Sequence, residues 1–577
     1  MIVIQPKASA EDYSYRWRLL LVALLMAMMV LIGRAVYLQV LDRQFLKKQG
    51  DMRHVEVMPV PSHRGRIIDR NGELLAISTP VKSLWINPRE FREADVATDR
   101  IRAVADLLEL SPAAIRKRIG RDDNRAFAYL KRRINPELAD QVMALDIPGI
   151  YAEREYRRYY PGGEVAAHLL GFTNIDDSGQ EGMELAYNDW LRGAEGARRI
   201  LRDGRRRIIE DLENIKQPVP GKDLTLSIDQ RLQYLAYREL KKAVIQHQAK
   251  SGSLALLDTR TGEVLALVNQ PSYNPNGSGK PKGSATRNRA MTDIYEPGST
   301  VKPFVVACAL ELGLFRPDTI IDTTPGRMTV GQNTVKDVHN YGVLDVTHVL
   351  QKSSNVGVTK IALNVPARKL WAFFNNLGFG QSLDTGFPGE ARGRLPDYHG
   401  WDAFEQATLS FGYGMSTSTL QLARGYLAIA NDGVMPMVGI LKRDGSAENH
   451  DIMSARTARN VRTMLEQVVT REGTALKAGI PGFRVAGKTG TVKKSSGAGG
   501  YTESLYLSVF AGMAPASNPR LVMVVMIDEP SAGEYYGGAV AAPVFSSVME
   551  GALRQLNIAP DQKETAPLFA AERDEAA

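Results

Sequence analysis

The sequence predicts an α+β protein with a single membrane-anchor helix, a mixed front module and a larger domain in which helices pack on one antiparallel sheet. Three observations predict it. An apolar span of 22 residues near the N-terminus is long enough to cross a bilayer. Strand and helix signals alternate through residues 41–221. Beyond them, strand signals stand at both ends of the chain, near 254–268 and 484–528, with helical stretches between, as in a sheet closed by its two chain ends.

A chain of 577 residues can hold two or three domains with full cores. Its 72 basic and 64 acidic residues leave a net charge of +8, and no block has the density of a nucleic-acid arm. The densest basic cluster, Arg198, Arg199, Arg202 and Arg205 to Arg207, surrounds an Asp203-Gly204 turn and reads as a solvated hairpin. The one cysteine, Cys308, excludes an internal disulfide and reads as a small core residue. The histidines show no metal-ligand spacing, so no metal and no cofactor is expected.

Residues 1–18 form a polar tail, and 19–40 the anchor, interrupted late by Arg34 and Gln39. No A-x-A-like cleavage site follows, which favours an anchor over a signal peptide. Arg34 either snorkels outward or faces a partner helix. Basic residues flank both ends of the span, so charge does not set its orientation. Within 41–221, residues 64–76 read as a hairpin around Asn71-Gly72, and 95–118 and 136–145 as helical. Residues 157–163 read as a loop before a short helix through His168, and the charges of the module as solvated faces. Nothing in it forms a catalytic constellation.

A linker signal at 218–221 opens the second domain, 222–556. A helix over 229–243 and a hairpin over 254–268 come first, then a stretch dominated by helical segments from 301 to about 430, then strands over 484–491, 506–514 and 520–528. Residues 557–577, polar and alanine-rich, read as a disordered tail.

Three motifs carry the chemistry. In Glu296-Pro297-Gly298-Ser299-Thr300-Val301-Lys302, a serine opens an apolar helix and a lysine follows on the same face. Such a pair makes a nucleophile without histidine. Lys302 must be neutral to act as base; burial, and repulsion from a second lysine, would both lower its pKa from about 10.4. In Ser353-Ser354-Asn355, a hydroxyl and an amide between two helical runs could relay a proton and hold a peptide carbonyl. In Lys488-Thr489-Gly490-Thr491, a strand offers a fixed cation, Thr489 and Thr491 offer hydroxyls for a carboxylate, and Gly490 lets a ligand approach the backbone. Residues 482–489 also satisfy the nucleotide-binding pattern G-x-x-x-x-G-K-T. That pattern needs a buried strand before it and a helix after it, and neither flank supplies one.

The order S-x-x-K, S-x-N, K-T-G resembles that of the penicillin-binding proteins and serine β-lactamases. Length, anchor and front module are similar to those of the class B transpeptidases. Within them the chain resembles the division-specific septal group, over residues 64–76, 157–171, 288–302, 351–358, 410–423 and 535–545 among others. The resemblance implies a penicillin-binding/β-lactamase-like transpeptidase domain on an elongated pedestal or dimerisation-type module. It implies Ser299 as nucleophile towards the D-Ala-D-Ala end of a peptidoglycan stem pentapeptide, with an amine of a second stem as acceptor. Lys302 would be the base, Ser353 the proton relay and Asn355 the group that positions the donor peptide. Lys488, Thr489 and Thr491 would bind its carboxylate, with Gly490 beside them in the substrate-binding strand, and the amides of Ser299 and Thr491 would form the oxyanion hole. β-Lactams would acylate Ser299. The resemblance further implies an inner-membrane protein with a cytoplasmic tail and a periplasmic catalytic domain, partnered by an FtsW-type glycosyltransferase and other division proteins. The glycosyltransferase motif of class A enzymes is echoed at 42–45, but Leu41 and Lys48 replace its glutamate and histidine. A D,D-carboxypeptidase, a β-lactamase, a non-catalytic sensor and a specialised paralogue stay open as alternatives.

Overall fold

A computed structural model describes residues 14–44, 55–120, 127–202, 208–277, 283–445, 448–495 and 500–562. Helix α1 (Ser14–Val36) runs on into a π-turn, Tyr37–Leu41, so that Tyr15–Leu41 is one continuous stretch in which an 18-residue segment has a mean hydropathy of 2.6. Its leucines, valines and methionines are exposed. At 1.5 Å per residue the 27 residues cover about 40 Å, more than the roughly 30 Å of a hydrocarbon core. The helix begins five residues before the predicted span, and Arg34 lies over the Tyr37 ring at 5.1 Å.

The front module and its exit carry strands β1 (Val55–Val60), β2 (Ile67–Ile68), β3 (Leu74–Ile86), β4 (Ala128–Ile134), β5 (Ile150–Tyr159), β6 (Gly196–Arg202), β7 (Ile208–Lys216) and β8 (Leu224–Thr225). β2 pairs with β3 around Asn71-Gly72, as the hairpin signal predicts. β6 and β7 pair antiparallel, and the Asp203-Gly204 tip between them lies outside the described residues. Two expectations fail here. Arg157, Arg158 and Tyr159 are not loop: they end β5, which pairs with β3 from Ile86↔Ile150 to Ile77↔Tyr159. Ten ladder pairs outweigh a polar sequence that has little strand propensity of its own. Nor are the charges all solvated. Arg64, Arg158 and Glu184 are buried together, with Glu184 2.7 Å from Arg64 and 2.6 Å from Arg158.

This module is bonded to the second domain through β2 and β8, which pair in parallel, and through the Arg70 amide on the Ile228 carbonyl. The buried Asp69 carboxylate accepts from the Gln230 amide, which opens helix α2 (Gln230–Gln246). A cavity of about 710 Å³ lies at this joint, between Asp69, Asn71, Pro161 and Gln233; none of its lining residues belongs to the three motifs.

The second domain is built on five antiparallel strands. They are β9 (Ser251–Asp258) and β10 (Val264–Gln270), then, far along the chain, β17 (Ala486–Ser495), β18 (Tyr501–Ala514) and β19 (Leu521–Asp528). Their order, β10-β9-β19-β18-β17, closes the sheet where the first and last strands meet. The runs Leu254–Leu257 and Leu521–Ile527 are apolar throughout and fully buried, because helices cover both faces. Helices α2 and α7 (Gly537–Gln555) cover one face; α6 (Thr419–Ala430) packs on the other. Between the two strand groups lie α3 (Lys302–Glu311), α4 (Val346–Lys352) and α5 (Asn355–Leu363). Helical segments dominate this stretch, as the sequence predicts. It also carries the short strands β11 (Ile320–Asp322), β12 (Arg327–Val330), β13 (Asn333–Lys336) and β14 (Val343–Asp345), and β15 (Val434–Pro436) and β16 (Asn449–Asp451) follow α6. The expected disordered tail starts too early at 557. Ile558 packs on the core, and Asp561 accepts the amides of Arg484 and Ser517. Residues 563–577 lie outside the described residues.

Candidate active site

Ser299 lies on a 3₁₀ turn, Gly298–Val301, that leads straight into α3, with Pro303 in the first turn where its missing N–H costs nothing. The turn is wedged in place. Gly298 donates to the Gly412 carbonyl at 3.2 Å, Thr300 Oγ1 donates to the Pro297 carbonyl at 2.7 Å, and Tyr426 OH donates to the Thr300 carbonyl at 2.8 Å. Gly298 has φ +56°, and a Cβ there would stand 2.4 Å from Val492 Cγ2, so the turn and β17 approach as only glycine allows. Gly490 does the same from the strand side. A Cβ on it would stand 3.0 Å from Thr300 Cγ2 and 3.1 Å from the Pro297 carbonyl oxygen. On this face the absence of a side chain lets β17 lie against the turn that holds Ser299.

Lys302 is fully buried, one turn along from Ser299. Its hydrogen bonds go to the Ser353 carbonyl at 2.6 Å, to Asn355 Oδ1 at 2.7 Å and to Ser353 Oγ at 3.2 Å. Lys488 is the third residue of β17, opposite Ala511, and is also fully buried. It donates to the same Ser353 Oγ at 2.9 Å and to the Thr489 carbonyl at 3.1 Å. Ser353 thus stands between two ammonium groups. It ends α4 with φ +58° and ψ +39°, a left-handed conformation uncommon for a residue with a side chain. That conformation is what turns both its carbonyl and its hydroxyl towards Lys302.

Burial first, then the like charge of Lys488, pushes Lys302 well below the ordinary lysine pKa; Asp337 pulls weakly the other way. Burial alone brings Lys488 down to about 7. Both lysines contact only neutral oxygens through hydrogen bonds, so neither gains the direct carboxylate partner that would hold a buried ammonium charged.

The Thr489 and Thr491 hydroxyls bond outside the lysine pair. Thr489 Oγ1 lies 2.7 Å from Thr474 Oγ1, and Thr491 Oγ1 accepts the Gly537 amide at 3.0 Å. A hydroxyl that accepts one bond keeps its own proton to donate. Lys488 lies within this strand and not before a helix, which removes the nucleotide-binding reading of residues 482–489. Sequence reasoning missed two residues. Asp337 accepts from Ser354 Oγ at 2.6 Å and from the amides of Asn355 and Val356, and Thr474 pairs with Thr489. Neither stands in a motif, and their positions follow from the fold alone.

Two family models match the chain: "Penicillin binding protein transpeptidase domain" over residues 252–550 and "Penicillin-binding Protein dimerisation domain" over residues 59–226. The chain is a class B penicillin-binding protein. It is 45% identical to the peptidoglycan D,D-transpeptidase FtsI of Escherichia coli K12, over 97% of this chain and 96% of that one. It is 42% identical to the probable peptidoglycan D,D-transpeptidase PbpC of Pseudomonas aeruginosa, over 97% and 99%. Among solved structures, penicillin-binding protein 3 of Mycobacterium tuberculosis in complex with aztreonam matches with a TM-score of 0.69 and 28% identity, over 88% of this penicillin-binding protein and 98% of that chain. The transpeptidase domain of penicillin-binding protein 3 from Burkholderia pseudomallei matches at 44% identity and a TM-score of 0.55, over 58% and 98%.

Proposed function

We infer that this penicillin-binding protein is a serine D,D-transpeptidase that cross-links peptidoglycan stem peptides in septal wall synthesis during cell division. One observation carries the reading: two buried lysines, without carboxylate partners, meet on one hydroxyl beside the turn that holds Ser299. The identity to the D,D-transpeptidase FtsI over nearly the whole chain supports both the reaction and the division role.

The donor stem lies along β17, which is the free edge of its sheet and so offers backbone groups to an extended peptide. Lys488 and the Thr489 and Thr491 hydroxyls receive its terminal carboxylate, and Asn355 holds its penultimate amide. A cleft of about 310 Å³ between Glu296, Ser416, Val492 and Lys493 gives room for the rest of the stem. Neutral Lys302 takes the Ser299 proton as Oγ attacks the carbonyl between the two D-alanines. The amides of Ser299 and Thr491 receive the oxyanion, a contribution of about 3–4 kcal/mol per donor. The proton passes through Ser353 to the leaving amine, the peptide bond breaks and D-alanine departs, leaving an ester on Ser299. The side-chain amine of a diamino acid on a second stem attacks that ester and gives up a proton to Lys302. The ester C–O bond breaks, Lys302 returns that proton to Ser299 Oγ, and the new amide leaves. A β-lactam follows the first half only, because its leaving group stays tethered in the site.

The apolar helix suits a substrate delivered on a lipid at the membrane surface. The protein sits in the inner membrane with its catalytic domain in the periplasm, and α1 and the front module dock an FtsW-type glycosyltransferase and other division proteins. The test uses purified full-length protein and labelled penicillin. Label maps to the peptide carrying Ser299 and is absent from Ser299→Ala; label elsewhere overturns the assignment. With a donor and acceptor stem mixture, cross-linked dimer is expected, whereas D-alanine release without dimer would make the enzyme a carboxypeptidase.

A further inference from the structure

Asp337 stands in the loop after β13, outside all three motifs, yet its carboxylate accepts three bonds from residues 354–356. One oxygen accepts from Ser354 Oγ at 2.6 Å; the other accepts the Asn355 amide and, at 3.0 Å, the Val356 amide. The adjacent Lys336 carbonyl accepts from Asn355 Nδ2 at 3.0 Å, which fixes the amide so that Oδ1 faces Lys302. Ser354 Oγ is in turn the cap of α5, accepting the Gly357 amide at 2.8 Å. Asp337 itself is tied to the Gly326 carbonyl through its own amide at 2.9 Å.

The backbone that these bonds hold is the unusual part of the site. Ser353 is left-handed, a conformation that costs on the order of 1–3 kcal/mol and persists only where neighbours impose it. The residues on either side are the imposition: α4 ends at Lys352, and one residue beyond Ser353 the chain is clamped by a single carboxylate at three points. If the clamp opens, Ser353 relaxes, and its carbonyl and hydroxyl leave Lys302 and Lys488 together.

We propose that Asp337 is a positioning residue for the acyl transfer: it clamps Ser354, Asn355 and Val356 so that Ser353 faces both lysines and Asn355 faces Lys302. The inference rests on the assignment of Ser299 as nucleophile and Lys302 as base. The charged or titratable groups that bear on Lys302 are Lys488 from β17 and Asp337 from the loop after β13; Tyr341, further along that loop, feels the Asp337 charge. Removing the anion lowers the Lys302 pKa further, since Asp337 is the group that raises it.

Two substitutions separate the clamp from the charge. Asp337→Asn keeps an oxygen for the two amides and can donate to Ser354 Oγ, so it preserves most of the clamp and removes the charge. Asp337→Ala removes both. Measured on the full chain, the second-order rate of Ser299 acylation by labelled penicillin between pH 5 and 10 falls about 100-fold in Asp337→Ala, the size of effect that follows a displacement of about 1 Å. In Asp337→Asn the fall is smaller, and the limb that rises as Lys302 loses its proton moves to lower pH. A plain helix cap predicts something else: a lower melting temperature for Asp337→Ala with the acylation rate and pH profile of the folded protein unchanged, and that result overturns the proposal. An unmoved limb in Asp337→Asn overturns the charge role. Loss of label from the wild-type Ser299 peptide would instead strike the parent assignment, so the two failures are distinguishable.

Discussion

Two regions of this molecule bury charge, and they do so in opposite ways. In the front module Glu184 sits between Arg64 and Arg158, at 2.7 and 2.6 Å, and Arg158 also donates to the Gly65 carbonyl at 2.7 Å. Opposite charges there satisfy one another and tie the start of the 64–76 hairpin to β5 and the 182–186 helix. In the active site two like charges, Lys302 and Lys488, are buried around one serine, and among the described residues no carboxylate is bonded to either. A paired buried charge holds structure. An unpaired one has its pKa displaced, and that displacement is what makes a lysine useful as a base near neutral pH.

The comparison breaks or sharpens under substitution. The largest effect is expected at Lys302→Met. Loss of a positioned base lowers acylation of Ser299 by about 10²–10⁴-fold. Stability moves the other way. A lysine whose folded pKa lies below its unfolded value binds more protons when unfolded, so the fold loses stability as pH falls through the window between the two values. Methionine removes that penalty, so the variant melts higher than wild type at pH 6, and the gain shrinks towards pH 10.

Glu184→Ala is the mirror image. It leaves two arginines buried against each other and costs about 3–5 kcal/mol, read as a lower urea midpoint, while the protein that remains folded acylates at the wild-type rate. A Lys302→Met variant that melts lower, or a Glu184→Ala variant with an unchanged midpoint, would dissolve the distinction. The smallest effect is expected at Gly490→Ala. Its Cβ meets the Pro297 carbonyl at 3.1 Å, which can yield only by moving the Ser299 turn. Acylation should fall about tenfold, near 1.4 kcal/mol, with an overpacking cost of about 1–3 kcal/mol in stability.

The two regions also differ in how much of them a reader of the sequence can see. Ser299, Lys302, Ser353 and Lys488 are spread over 189 residues, yet each lies in a short pattern, and the chemistry demands that the patterns converge. The runs 254–258, 264–268 and 520–528 are apolar enough to declare buried strands. Arg64, Arg158 and Glu184 have no such signature, because their neighbours along the chain are ordinary polar residues and their pairing spans 120 and 26 positions. Read locally they are surface charges. Arg157 to Tyr159 misled for the same reason: strand pairing with β3 is a property of the partner, not of the segment. Asp337 was invisible because a helix clamp supplied from a preceding loop leaves no spacing to recognise. Asp561 shows the limit of composition, since two amides at the edge of the sheet hold what its neighbours would leave loose.

The most direct measurement is the pH dependence of Ser299 acylation by penicillin in the wild-type protein. The rate should rise as Lys302 loses its proton, well below the ordinary lysine range, and fall as Lys488, near 7, loses the charge that holds the carboxylate. The account predicts a bell whose falling limb lies near 7, the two limbs belonging to the lysine pair as a unit. A rate that climbs steadily to pH 10, as an ordinary lysine would dictate, contradicts it.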